Sequence, residues 1–479
     1  MLDLLITNAT IVTLDPQHTE LHNGFVAVAS GNIIGLGSMD QLPSTPVAHR
    51  IIDGSDQVVL PGLIDTHTHA GHALTKTVGL GPDWTRRVED IYYQCTTPDF
   101  WYAEARLAAL EKLRFGTTTS VSMIGSVPRI GDLEAVAAHF TGAQALGIRT
   151  ISGVGSPNPP WPKMSRVWRG TKVICEQIEP NMAYADTEAV VKRWHNTNRG
   201  KTYAFVMPSR VGLAPPNSPT LAVKQMKQMR RIADEYNTRI HAHSYAGDIR
   251  FTHEHFPRAL GHDVLLAHCT GLDDEETRIL ADTGTHVTTG PSTHAHIAAH
   301  CPVVELLEQG ANVAVSTDGN APDRTFDLWK DLRILQLLHR NRRHDAALLP
   351  AGTVMEMVTI RAARALGLDH LIGSLEIGKR ADMIMLDTKK PHLWPFFLPV
   401  EKLVQAASGH DVASVIVDGE PLILCGELLT GQQDTILSQA QIEWQRALER
   451  GNFRDALCYQ NGLWNHHYLP RKGDEPDSL

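Results

Sequence analysis

Eight short apolar runs, separated by amphipathic stretches, dominate the chain from about residue 58 to 345. They are VVLPGLID, TTTSVSM, RTISGVG, YAFVMP, TRIHAHS, DVLLAHC, THVTTGPS and NVAVSTD. Between them, segments such as DFWYAEARLAALEKLRFG, DLEAVAAHFTGAQALG and TLAVKQMKQMRRIADEY repeat apolar residues at spacings of three and four. Several stop at Gly, as helices do. Strand and helix patterns in alternation build parallel sheets. Eight such units are the number that closes a (β/α)8 TIM barrel. The expected fold class is therefore α/β, with a barrel across 58–369.

Both ends of the chain follow another rhythm. Residues 1–57 alternate apolar and polar positions with Gly and Asn between, as in LLITNATIVTLD and GFVAVASGNIIGLGS. Strand-like runs return in ADMIMLD and VASVIVDGEPLILCGELL. Segments 1–57 and 370–430 are expected to pair into one small β domain. Residues 431–479 hold one helix candidate, QDTILSQAQIEWQRALER, and a polar tail, PRKGDEPDSL.

Composition excludes several classes of function. A net charge of −9 and the absence of any Lys/Arg block argue against a nucleic-acid surface. No apolar run reaches the roughly 18 residues of a membrane span. The first residues, MLDLLITNATIVTLD, lack the cationic start and apolar core of a signal peptide. Six cysteines lie scattered without paired spacing, as reduced thiols of a cytoplasmic protein do. What remains is an enzyme or binding protein for a small molecule.

The 25 histidines cluster in a few short runs, and the barrel pattern gives those runs a place. Active sites of such barrels lie at the C-terminal ends of the strands. Strand one ends in Asp65-Thr66-His67-Thr68-His69. Alternate residues on a strand share a face, so His67 and His69 can meet one metal. Strand five ends in His241-Ala242-His243, strand six in Ala267-His268, strand eight in Thr317-Asp318-Gly319. Alone, a His-X-His pair is usually incidental, a lone His a core residue, and Asp-Gly a turn. Together they present imidazole and carboxylate, the ligands of a catalytic zinc or iron. A divalent ion lowers the pKa of a bound water toward about 7. Asp318 is placed to take that proton, and His268 to orient the water or steady developing charge.

The stretches PGLIDTHTH, ALEKLRFGTTTSVSM, GSLEIGKRADMIMLD and VIVDGE resemble the amidohydrolase superfamily. Within it they are similar to the aminohydrolases and triazine hydrolases, a group that includes cytosine, guanine and adenosylhomocysteine deaminases. The resemblance runs from residue 1 to about 430. It implies that the end segments form a β-sandwich flanking the barrel. It implies one divalent metal, zinc ahead of iron, bound by His67, His69, His243 and Asp318 with His268 nearby. His241 would then be a neighbour on the same face. Relatives with two metals carry a modified Lys at the end of strand four, whereas this chain reads YAFVMPSRVG. The resemblance also suggests a homo-oligomer.

The chain departs from that pattern in one respect that bears on chemistry. Deaminases of the group place a Glu three residues after the strand-five ligand, where it shuttles protons to the leaving amine. Here that position is Ala246. Asp248, His294 and His296 are the candidates to replace it. Other pocket candidates are Trp84 and His72 after strand one, and Trp161 and Trp168 in the Pro-rich loop after strand three. Asp323 and Arg324 follow strand eight. Three readings rank in order. The first is a hydrolase acting on a non-peptide C–N bond of a small cyclic, nitrogen-containing substrate. The second is an aminohydrolase of a purine, pyrimidine, pterin or triazine with a relocated proton donor. The third is a metal-retaining binding protein without turnover.

Overall fold

The first apolar run, VVLPGLID, folds as two strands because Gly62 interrupts it. A Cβ at Gly62 would sit 2.1 Å from Thr118 Oγ1, so only glycine lets the chain pass there. The computed structural model describes residues 1–44, 46–76, 78, 84–125, 127–213, 218–320, 324–453 and 464, with backbone only at 84 and 85. Before Gly62, Gln57–Pro61 joins an outer sheet, and after it Leu63–Asp65 opens a parallel one.

Each of the other seven runs contributes one parallel strand. Leu63–Asp65, Thr117–Ile124, Arg149–Gly153 and Thr202–Ala204 form one parallel sheet in that order, with His69–Ala70 added beside Ile124. Ile240–Tyr245, Val264–Thr270, His286–Thr289 and Val313–Val315 form a second. Parallel bridges at Val206–Ile240 and Arg210–His243 connect the two. On the other side, the Asp318 N–H donates to the His67 carbonyl at 3.0 Å. Thr66 Oγ1 there meets Val315 O at 3.2 Å and Thr288 Oγ1 at 2.6 Å.

The helices between them form where the sequence carries start and stop signals. Pro98–Arg114 begins with Thr97, whose side chain accepts from the Phe100 N–H, and with Pro98 in its first turn. Asp274–Thr283 begins with Asp273, which accepts from the N–H groups of Glu275 and Glu276, and ends at Gly284 with φ 69°. The Pro-rich segment after Arg149–Gly153, read from sequence as a loop, contains an antiparallel hairpin, Lys163–Arg169 with Lys172–Ile178. The alternation in KMSRVWR explains it, with Ser165 and Val167 buried and Met164 and Arg166 exposed.

Strands from both ends of the chain pair in one nine-stranded sheet. Its order runs Glu427–Leu428, Glu420–Leu424, Val412–Val417, Met383–Asp387, Gln57–Pro61, Leu2–Val12, Glu20–Ala29, Asn32–Ser38, with Ala48–Asp53 also on Leu2–Val12. Leu4, Ile6, Val26, Val28, Met383 and Ile416 bury one apolar cluster there. The helix Gln433–Gly451 follows. The polar tail PRKGDEPDSL lies outside the described residues. No described helix is long and apolar enough to cross a membrane.

A buried ion pair ties the outer sheet to the parallel strands. Arg149 Nε and Nη2 donate to the two oxygens of Asp382 at 3.0 and 2.9 Å, and both side chains are 2% exposed. Asp382 also accepts from the Asp418 N–H at 2.8 Å. Removing one partner leaves an uncompensated buried charge. Arg149→Met is therefore expected to lower unfolding free energy by about 3–5 kcal/mol, read from urea titration. An unchanged midpoint would contradict this packing.

Candidate functional site

The ends of strands one, five, six and eight meet around a buried cluster of histidines and one aspartate. His67, His69, His243, His268 and Asp318 are each 8% exposed or less. Asp65 sets part of the geometry. Its carboxylate accepts from the Thr317 N–H at 3.1 Å and from Thr317 Oγ1 at 2.6 Å, which holds the end of strand eight against strand one. Burial pushes the Asp65 carboxyl up to about 6, against the pull of Lys112. Lys112, itself buried, donates to Thr68, Ser120 and Ser122 beneath the cluster. Asp318 and His268 adopt left-handed backbone, with φ 58° and 71°. Non-glycine residues hold that conformation at a cost, and such strain concentrates at functional sites.

The hydrogen bonds decide where the imidazole protons lie. His69 Nδ1 faces the Gly125 carbonyl at 2.9 Å, and His243 Nδ1 faces the Ser209 carbonyl at 2.5 Å. A carbonyl only accepts, so both Nδ1 atoms carry the proton and both Nε2 atoms present lone pairs. Those two Nε2 atoms are 3.2 Å apart. His241 Nδ1 likewise donates to Leu265 O at 3.0 Å, which leaves its Nε2 to accept from His67 Nδ1 at 2.7 Å. His67 Nε2 is then bare as well. It lies 3.3 Å from Asp318 Oδ1, as does His69 Nε2.

Three nitrogen lone pairs and a carboxylate oxygen therefore converge on one small volume. Bare acceptors at such distances repel unless a cation or added protons sit between them. Added protons are disfavoured, because burial pushes His243 down to about 4 and holds His67 well below its usual range. A divalent cation fits the donor set, and the ring nitrogens opposite it are held by carbonyls and His241, as in established metal sites. His67, His243 and His268 also meet the spacing of a three-ligand group, as do His67, His69 and Asp318.

A cavity of about 310 Å³ opens onto this cluster. His294 and Arg324 lie within it. His294 Nε2 is 3.3 Å from His268 Nδ1, and His294 Nδ1 is 3.2 Å from Thr289 Oγ1. Arg324 Nη2 lies 3.9 Å from Asp318 Oδ2, and its Nε donates to Gly319 O at 3.0 Å. His296 lines the cavity and is exposed. His72 stacks on His69 with centroids 5.0 Å apart.

Other candidates lie elsewhere. Trp161 packs against the apolar core, and Trp168 Nε1 donates to Gln94 O at 2.7 Å. Neither is among the described cavity-lining residues. Asp248 is buried beside the cavity and accepts from Arg210 Nε, the Tyr245 N–H and the Leu213 N–H. Ala246 is exposed and does not line the cavity, while Tyr245 before it does. The Trp84 side chain and Asp323 lie outside the described residues.

Sequence reasoning missed several contributors. Thr293 Oγ1 donates to Asp318 Oδ2 at 2.9 Å. Tyr245 stacks on His268 at 5.6 Å, and Arg210 lies over the Tyr245 ring at 4.8 Å. The signal available for these two was position alone, at the ends of strands four and five.

The depressed imidazoles make stability depend on pH. His241 is pushed down to about 3 and His294 to about 4 from 6.5, both by burial first. Between about 4 and 6.5 the unfolded chain binds more protons than the folded one, so stability is full above that window and is lost as pH falls through it. In chelator-stripped protein the urea midpoint is expected to drop across this range, and His294→Gln to make the drop shallower. A flat profile would contradict the buried neutral assignment.

Residues 58–422 match the Amidohydrolase family. The 5-methylthioadenosine/S-adenosylhomocysteine deaminase of Syntrophobacter fumaroxidans is 30% identical over 458 residues, covering 92% of this chain and 97% of that one. The 5'-deoxyadenosine deaminase of Methanosarcina mazei is 29% identical over 469 residues, covering 94% of this chain and 100% of the relative. Among solved structures, an adenosine deaminase from Xanthomonas campestris with bound zinc superposes with a TM-score of 0.80 at 22% identity, covering 94% of this chain and 99% of that one. The atrazine chlorohydrolase of Arthrobacter aurescens complexed with zinc gives 0.78 at 21% identity, covering 92% and 100%. The strand-end histidines, the aspartate at Asp318 and a family match over most of the chain agree: this protein belongs to the Amidohydrolase family.

Proposed function

We propose that this protein is a metal-dependent hydrolase that cleaves a non-peptide C–N bond in a small, cyclic, nitrogen-containing substrate. The observation that carries the reading is the convergence of the bare Nε2 atoms of His67, His69 and His243 with Asp318 Oδ1. These four residues would hold one divalent ion, zinc ahead of iron, and zinc is bound in two of the similar structures. When bound, the ion supplies a Lewis acid that activates water near neutral pH.

The chain's own residues supply the rest of the chemistry. Asp318 accepts the proton of the attacking water, with Thr293 holding its Oδ2 in place. His268 steadies the charge that develops on the attacked carbon's oxygen. The proton that Asp318 takes up is passed on to the leaving nitrogen, with His294, 3.3 Å from His268 Nδ1, as the relay. The arrangement supports His294 over Asp248 in that task, because Asp248 already accepts three hydrogen bonds.

A second reading is an aminohydrolase that releases ammonia from an aminated purine, pyrimidine, pterin or triazine. The deaminase names of the relatives favour it. Ala246, which offers no acid, favours the first reading.

Family membership and the links between the two parallel sheets support a closed (β/α)8 barrel over 58–369. The nine-stranded sheet would then be its flanking β-sandwich, from 1–57 and 370–430, with 431–479 as an appended helix and tail. The same membership supports a homo-oligomer. The free cysteines among the described residues support a cytoplasmic location.

The test is metal analysis coupled to a hydrolysis screen over cyclic amides, ureides and amino-heterocycles, with ammonia read separately. The reading expects one divalent ion per chain, its loss in His67→Ala, and His268→Gln slowing turnover by about 10²–10⁴-fold with the metal retained. A His67→Ala variant with full metal and full activity would overturn the site. Ammonia as the main product would select the second reading.

A further inference from the structure

We infer that the cavity holds a carboxylate-binding subsite at Arg210, and that the substrate is a small heterocycle bearing a carboxylate. This rests on the hydrolase reading for the reacting end of the substrate, and on Arg210 alone for the anionic end.

Position comes first. Arg210 sits directly opposite His243 in a parallel bridge, one strand spacing of roughly 4.8 Å away. Arg210 and His243 therefore stand side by side in the wall of one cavity. The cavity of about 310 Å³ suits a ligand of one small ring.

Orientation is fixed by Asp248. Arg210 Nε donates to Asp248 Oδ2 at 2.6 Å, and the Asp248 side chain is 2% exposed against 20% for Arg210. Asp248 is itself held by the Tyr245 and Leu213 N–H groups at 2.8 and 3.2 Å. Gly212, with φ 111°, passes so close that a Cβ there would lie 2.3 Å from Asp248 Oδ1. The Tyr245 ring supports the guanidinium plane from 4.8 Å. Nε is the one guanidinium nitrogen that hydrogen-bonds to protein among the described residues. Arg210 lines the cavity, and its guanidinium is left with the planar Nη donor pair, the geometry that matches a carboxylate.

Asp318 is the one carboxylate among the described residues lining the cavity, which also carries Arg210 and Arg324. Asp318 is turned to the histidine cluster. The Arg210 charge is paired with Asp248, and its remaining Nη donors offer a carboxylate two parallel hydrogen bonds.

The test measures binding to the full chain as purified, by calorimetry, with pyrimidine-4-carboxylate and its carboxamide as probes. The carboxylate is expected to bind at least about tenfold tighter. Arg210→Met should erase that preference with metal content unchanged, and Arg210→Lys should keep part of it. Equal affinities, no carboxylate binding at millimolar concentration, or a preference that survives Arg210→Met would overturn the subsite. The last result would place the anion on the histidine cluster instead. Metal content and product formation do not enter this ratio, so the hydrolase reading and the subsite fail separately.

Discussion

The mutual repulsion of bare imidazole nitrogens is the constraint on which the rest of the site depends. Backbone carbonyls at Gly125, Ser209 and Leu265 each demand a proton from a histidine. That demand propagates through His241 to His67. The result is a set of lone pairs turned inward beside Asp318, in a buried pocket. The fold stabilises this arrangement only in combination with a positive charge. Metal binding is in that sense dictated by where the carbonyls are, as much as by which side chains are present.

Holding four strand ends in that register takes structure with little chemistry of its own. Asp65 clamps Thr317, so that Asp318 cannot drift from His67. Lys112 satisfies three hydroxyls beneath strand one and compensates the buried Asp65. Arg149 and Asp382 join the parallel strands to the outer sheet formed by both ends of the chain. The left-handed backbone at Asp318 is held by the Thr317 clamp and by the Asp318 N–H bond to the His67 carbonyl.

Much of this was legible in the sequence, for physical reasons. Strand alternation put His67 and His69 on one face, and apolar runs ending in His243, His268 and Asp318 marked strand termini. Each run of the eight-run rhythm holds one strand of the two parallel sheets among the described residues. Other features could not be read. The carbonyls that orient the rings belong to residues whose side chains say nothing about them. His241 looked like a mere neighbour, because its part depends on one hydrogen bond to Leu265. Asp248 looked like a stand-in acid, yet three donors already occupy it. Trp161 looked like a pocket residue, but it packs, partly buried, against the apolar core. Arg210 carries no signal in the sequence, and only the fold sets it opposite His243.

X-ray absorption at the metal edge of the purified protein tests the central claim most directly. The account predicts a single divalent ion in a shell of nitrogen and oxygen at roughly 2.0–2.2 Å with imidazole outer-shell scattering. A sulfur shell near roughly 2.3 Å, which would point to a thiolate such as Cys269, or no bound metal at all, would contradict it.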